Sequence, residues 1–514
     1  MTDLRQPAAG LRGARPDSTL VDAQSAVPNF LSEAQCRDLV ARLARYADGV
    51  GYTAAVIWSA QSRHVRWARN RISTSGEVQN TYIQVCRDLQ GAMYRGVFLN
   101  EMTDVALVAA ARRAERLSKL TPQQEQWEMV QYYAAEAMDT PSLFSEPTAA
   151  LGAATCADAA IAMAKRAADA GVLSAGYIDV SVHSMAVIDT AGHVRYCPYT
   201  TASYSVTARD PKGQGSGWAG VDWLDWNKVD VLPLTQRALD KCLQSRHPVA
   251  VEPGRYTTIL EPQAVCDLVG QLFQNGWLRD ILHRECAEDL CADGSADPFY
   301  KTGLRNGGVI RYGQSKLGER IIDERITISV DPMDPELGFP PFRPNQVDPF
   351  GVDVFHPITW FKDGVLTALE YNKDPLGVDG DRDIKTMRGV NNSGAFRMSV
   401  TGQMTSVEEM ITTTKRGLVV TRFDRIQLVD SNSMLLRGYT RDGLWLIEDG
   451  KISKAIKNFM FVESILFALN NIEQLGVPQR VFHPASGWLA FPQPVIVPPM
   501  KIRDFSFTAL VDSV

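Results

Sequence analysis

The chain has 514 residues, 45% apolar and 22% charged, with 53 basic against 59 acidic side chains and a formal net charge of -6. That composition excludes general disorder, and a pI near 5.8 without any Lys/Arg block argues against a nucleic-acid partner, which needs a basic footprint. The apolar runs, such as 417–420 and 494–497, fall far short of the about 20 residues a membrane span requires, so no membrane partner is expected; at roughly 100–200 residues per domain the length suits two large domains.

Residues 1–30 mix Asp3, Arg5, Arg12, Arg15, Asp17 and Asp22 with Gly and Pro and carry no apolar h-region, so they read as a disordered cytoplasmic tail and not as a signal peptide. Ser32-Glu33-Ala34-Gln35 then forms a capping-box pattern ahead of Leu39, Val40, Leu43 and Tyr46, with Asp48-Gly49 as the stop. Short strands are expected at 54–58, 65–67, 82–85 and 92–98, separated by turns at Arg69-Asn70-Arg71 and Ser75-Gly76. A second helix starts at Thr103-Asp104 and ends before Pro122, and the alanine-rich stretch 153–170 predicts a third, closed by Gly171. Strands at 177–182, 186–189 and 203–209 and a helix over 235–243 complete an N-terminal α+β domain, 31–248.

From Pro253 the texture turns toward strands. Tyr256 to Leu260 runs into Glu261-Pro262, where proline suits the first turn of a helix over 263–274. Asp363-Gly364 and Asp449-Gly450 are hairpin signals, Thr405-x-x-Glu408 opens a short helix closed at Gly417, and Ile465, Leu466, Leu469 and Ile472 mark another. Residues 249–514 therefore read as a mostly antiparallel β domain with a few helices, and the whole chain as a two-domain α+β protein.

Gly215-x-Gly217-x-x-Gly220 matches a dinucleotide fingerprint, but a loop precedes it and no helix pattern follows, so a glycine-rich loop is the better reading. His283-Arg284-Glu285 resembles half of a zinc-deaminase signature, yet only Cys286 and Cys291 follow, wrongly spaced for the second half. The remaining histidines, His64, His183, His193, His247, His356 and His483, form no paired metal motif, and neither a Gly-x-Ser-x-Gly elbow nor a P-loop occurs. Eight scattered cysteines fit reduced thiols in a reducing compartment, the cytoplasm, better than a disulfide framework.

Ordered segments along nearly the whole chain carry a resemblance. They include 66–72 (Arg66 to Ile72), the glycine-rich 215–220, 253–262 (Pro253 to Pro262), Lys316-Leu317-Gly318-Glu319-Arg320, Gly389-Val390-Asn391-Asn392-Ser393-Gly394, 406–417, Lys457-Asn458-Phe459 and Asn470-Asn471-Ile472-Glu473. The chain resembles the TldD/PmbA (TldD/TldE) family of peptidase-related proteins. That resemblance implies two member types: a TldD-like zinc peptidase whose His-Glu-x-x-x-His motif lies on the helix after the opening strand, and a TldE-like member that lacks the metal residues and pairs with it.

In this chain the corresponding window, Gly270-Gln271-Leu272-Phe273-Gln274-Asn275, has no imidazole and no carboxylate, and 497–505 lacks a cysteine that could complete a site. Catalytic zinc takes about three protein ligands plus water. The resemblance therefore implies a subunit without catalytic or metal residues of its own, zinc in the TldD-like partner, and a shared cavity holding a peptide or peptide-like amide as an added strand. Asn391, Asn392, Ser393 and Gly394 are the expected substrate- or partner-facing loop, with an ordinary polar turn as the plainer alternative. Two other readings stay open: an autonomous homo-oligomeric amide hydrolase using His356 or His283, and a peptide-binding chaperone or regulatory protein without hydrolysis.

Overall fold

A computed structural model describes residues 30–47, 51–89, 92–120, 142–274, 318–344, 352–368, 393–430, 433–484 and 491–511. Helix α1 (Glu33–Tyr46) begins as its capping box requires: Ser32 Oγ accepts from the Gln35 N–H while the Gln35 side chain accepts from the Ser32 N–H. Then follow β1 (Tyr52–Ala68), β2 (Arg71–Leu89), β3 (Ala92–Leu99), α2 (Asp104–Leu120), α3 (Glu146–Ala149), α4 (Ala153–Asp169), β4 (Leu173–Asp189), β5 (Val194–Arg209), β6 (Ser216–Trp223) and α5 (Val231–Gln244). The six strands form one antiparallel sheet in the order β3-β2-β1-β4-β5-β6.

One face of this sheet is apolar along its length. Ile57, Ile83, Val85 and Ile188 lie under α1 and α2, and Val65, Trp67, Ile178, Val180 and Tyr204 lie under α4 and α5. The other face begins with Val56, Trp58, Met185, Val187 and Tyr199, which join the core of the C-terminal half. The strands are far longer than the short pieces expected from pattern. Ser75-Gly76 is not a turn: it lies inside β2, with Gly76 opposite His64, and the chain reverses at Arg69 and Asn70, both with positive φ. Residues 71–80 are largely exposed, so no apolar alternation marks them as a strand.

The C-terminal half contains β7 (Gly254–Leu260), α6 (Pro262–Gln274), β8 (Ile326–Val330), β9 (Phe342–Pro344), β10 (Val352–Val354), β11 (Ile358–Lys362), β12 (Val365–Leu366), β13 (Phe396–Val400), α7 (Val407–Thr412), β14 (Arg416–Asp430), β15 (Leu435–Glu448), β16 (Lys451–Ala455), β17 (Phe459–Ser464), α8 (Ile465–Asn470), β18 (Ile472–Leu475), β19 (Gln479–Arg480), β20 (Val495–Val497) and β21 (Met500–Leu510). One sheet runs β12-β11-β8-β13-β20-β19 and another β14-β7-β21-β17-β15-β16. Because β14 also pairs with β15, strands β14, β7, β21, β17 and β15 close into a ring. All ladders here are antiparallel except β7 with β14 and β13 with β20.

This is the α+β, mostly antiparallel architecture expected, and the Asp363-Gly364 and Asp449-Gly450 turns adopt the positive φ that tight hairpins need. The capping box of α7 sits one residue later than read, on Ser406 and Glu409, and Gly417 belongs to β14. Helix α6 packs between the two sheets. Phe273 stacks on Phe396 at 4.5 Å and meets Trp360 edge-on at 6.1 Å, so its C-terminal turn is held by aromatic contact.

Candidate functional site

Helix α6 is nearly apolar all round. Ala264, Val265, Cys266, Leu268, Val269, Leu272 and Phe273 are buried, and among the described side chains Gln263, Asp267 and Gln271, at i, i+4 and i+8, form a partly accessible polar stripe. Asp267 is the centre of that stripe. Its carboxylate accepts from Gln263 Nε2 at 2.9 Å and from the Phe423 N–H at 2.8 Å. Gln263 in turn clamps the backbone of Phe482, accepting from its N–H and donating to its carbonyl, both at 3.1 Å. Desolvation pushes the Asp267 carboxyl up to about 6, against the pull of these donors, Arg422 and His483.

The stripe opens onto a polar network where β6 meets the C-terminal half. The His483 N–H donates to Asp222 Oδ1 at 2.6 Å, and Arg480 Nε donates to the Asp222 carbonyl at 2.6 Å while its guanidinium lies over the Trp223 ring. Arg422 pairs with buried Asp442 at 2.6 Å and covers the Trp218 ring; Ser216 Oγ donates to the same carboxylate. Lys241 of α5 pairs with Glu261 and donates to Thr421 Oγ1 at 3.2 Å. Beyond Asp442, a cavity of about 330 Å³ opens between Gly215, Ser245, His247, Gly443, Lys457 and Asn458.

Of the residues singled out in the sequence, Ser393 and Gly394 join this region. His483 Nδ1 donates to the Gln493 carbonyl at 2.7 Å, and Gln493 Nε2 donates to the Ser393 carbonyl at 3.1 Å. Ser393 is buried and its Oγ accepts from the Ala395 N–H, while Gly394 has φ +81° and a Cβ there would meet the Gln493 side chain. Asn391 and Asn392, like His283, Cys286 and Cys291, lie outside the described residues.

The glycine fingerprint has a packing explanation. Gly217 and Gly220 belong to strand β6, not to a loop, and a Cβ at Gly217 would stand 2.1 Å from the Ala238 carbonyl, so glycine lets β6 approach α5. His183 is buried against Tyr199 at 4.6 Å, and desolvation pushes its imidazole down to about 3, which keeps it neutral. Cys36, Cys156, Cys197, Cys242 and Cys266 are buried thiols; burial pushes Cys266 well above the ordinary thiol value.

These donors do not fit a catalytic zinc. Within 270–274 the side chains are Gly270, Gln271, Leu272, Phe273 and Gln274, of which Leu272 and Phe273 are committed to the core. Asp267 is already engaged by two donors, and among the described residues no three His, Cys, Asp or Glu side chains converge. The stripe can bind and orient polar groups but offers no metal chemistry. Its i, i+4, i+8 spacing was visible in the sequence; the approach of Asp222 to His483, 261 residues apart, was not.

Residues 253–509 match the family model described as the PmbA/TldA metallopeptidase C-terminal domain. No curated protein matches the chain in sequence. Among solved structures, TldE from Thermococcus kodakarensis is similar at 16% identity and a TM-score of 0.67, covering 92% of this chain and 100% of its own. A protein described as a candidate modulator of DNA gyrase from Bacteroides thetaiotaomicron is similar at 16% identity and a TM-score of 0.71, covering 93% and 100%. Another so described, from Thermotoga maritima, gives 14% identity and a TM-score of 0.69, covering 92% and 100%. With half of its length in the family model and its architecture matched nearly end to end, the chain belongs to the TldD/PmbA family of metallopeptidase-related proteins.

Proposed function

We propose that this chain is the non-catalytic, TldE-like subunit of a heteromeric peptidase whose zinc lies in a TldD-like partner, and that the pair hydrolyses peptide or peptide-like amide bonds in the cytoplasm. The observation that carries this reading is the make-up of α6. Where the TldD-like members are expected to place histidine and glutamate, this helix turns Leu272 and Phe273 into the core, and its described polar side chains are the amides Gln263 and Gln271 and the carboxylate Asp267. A helper subunit needs polar groups that hold a chain, and the stripe with its Asp222–His483 neighbourhood supplies them. The likeness in fold to a protein named TldE supports the same assignment.

The segment Asn391 to Gly394 is proposed as substrate- or partner-facing, and the domain division is proposed at 248/249. The test is co-expression with a TldD-like chain that carries the histidine motif. The expected result is a stable complex with zinc bound by the partner, amide hydrolysis abolished by a chelator and restored by zinc, and no hydrolysis by this chain alone. Equal activity of the isolated chain would reject the subunit role.

A further inference from the structure

Past the positions that join the common core, the second face of the N-terminal sheet changes character. Pairing registers set Gly76, His64, Asp179, Ser203 and Asp222 opposite one another across β2, β1, β4, β5 and β6, so these five residues share one face. The flanking rows add Ser62, Ser181 and Thr201 on one side and Arg66, Tyr177 and Ser205 on the other. The intervening residues Val65, Ile178, Val180, Ala202 and Tyr204 face α4 and α5. A sheet face turned to water usually collects long charged side chains; this one is dominated by short hydroxyls and is half-buried at Ser203 and Ser205.

Within it stands one carboxylate without an ion-pair partner among the described residues. Asp179 accepts from Tyr177 Oη at 3.0 Å and from Ser181 Oγ at 2.7 Å. The imidazole of His64 lies across the ladder, stacked with the Tyr177 ring at 6.4 Å, and Gly76 leaves it room, since a Cβ there would stand 3.2 Å from Cε1. The other charged groups on the face are Arg66, one row along beside Tyr177, and Asp222, which Arg480 already engages. Desolvation pushes the Asp179 carboxyl up, only partly offset by the Ser181 and Tyr177 hydroxyls and by His64.

A carboxylate has about four acceptor positions, and here two hydroxyls use one each. What remains suits a compact cation with several donors beside aromatic rings. We propose that Asp179, with Tyr177 and His64, takes the free amino end of a peptide laid across this hydroxyl face, so that the subunit selects substrates by an unblocked amino terminus. The inference rests on the peptide-handling role proposed above.

The test uses the full-length chain and a lysine-free, C-terminally fluorescein-labelled decapeptide in free-amine and N-acetylated forms, with binding followed by anisotropy. A charge-assisted contact of the usual strength predicts roughly tenfold tighter binding of the free amine. Asp179→Asn should bring the two forms to parity while the variant still unfolds in one cooperative thermal transition, and Tyr177→Phe should narrow the gap. Equal affinity of the wild type for both forms, no binding of either, or a preference that survives Asp179→Asn would overturn the proposal. Failure to assemble with a zinc-bearing partner would sink the subunit reading and leave this amine preference measurable, so the two failures are separable.

Discussion

Asp267 offers the sharpest test of the polar stripe, because its environment makes a signed prediction about pH. Its carboxyl moves from the ordinary 3.8 to about 6 on folding, driven by desolvation. An acid whose folded value is raised favours the native state while protonated; that contribution is complete below pH 3.8 and is lost as pH rises through 6. Linkage with these two values gives a loss of about 1.3 kcal/mol between pH 5 and pH 7, and about 2.4 kcal/mol between pH 4 and pH 7. Asn cannot ionise, and its oxygen can still accept from the Phe423 N–H, although its amide then faces the Gln263 amide, a fixed cost at every pH. The assay is equilibrium urea unfolding of wild type and Asp267→Asn at several pH values, read as their difference. That difference should shift by about 1.3 kcal/mol in favour of the variant from pH 5 to pH 7. A difference that stays flat, or moves the other way, would refute the desolvated-carboxylate account of this helix.

Gly217→Ala should lower stability by about 1–3 kcal/mol through overpacking of β6 on α5, with a lower melting temperature as the readout; an unchanged melting point would return the glycine to a functional role. Arg422→Met removes the close partner of buried Asp442 and leaves Arg441 at 3.9 Å, so a loss near the low end of about 3–5 kcal/mol is expected by urea unfolding. Adding Asp442→Asn should recover part of that loss, since Asn tolerates the positive φ at this position. The His183 ring should show no titration by nitrogen-detected NMR between pH 5 and pH 8. Because its folded value is depressed to about 3, it contributes stability above the ordinary 6.5 that is lost as pH falls from there toward 3. A midpoint near 6.5 would mean that the ring is hydrated.

Local rules were legible wherever a few neighbouring residues decide the outcome. The Ser32–Gln35 box, the proline that opens α6 and the Asp363-Gly364 and Asp449-Gly450 turns form as read, because capping and left-handed turns depend on groups within three or four residues. The ordered family segments and the missing metal ligands of 270–275 were equally plain in the one-dimensional chain. Length and pairing were not. Ser75-Gly76 looks like a turn but continues β2, since an exposed hairpin has no apolar alternation to mark it, and Gly215 and Gly217 look like part of a loop because the α5 backbone that demands them is distant in sequence. The meeting of Asp222 with His483, and the row that sets His64 beside Asp179 and Ser203, are products of register and of packing between the two halves. Composition and spacing thus determined the class of fold, and residue types along one short stretch left 270–275 without an imidazole or a carboxylate. Which polar side chains face one another was decided only when long-range strand pairing, driven by burial of the shared core, brought them onto common faces.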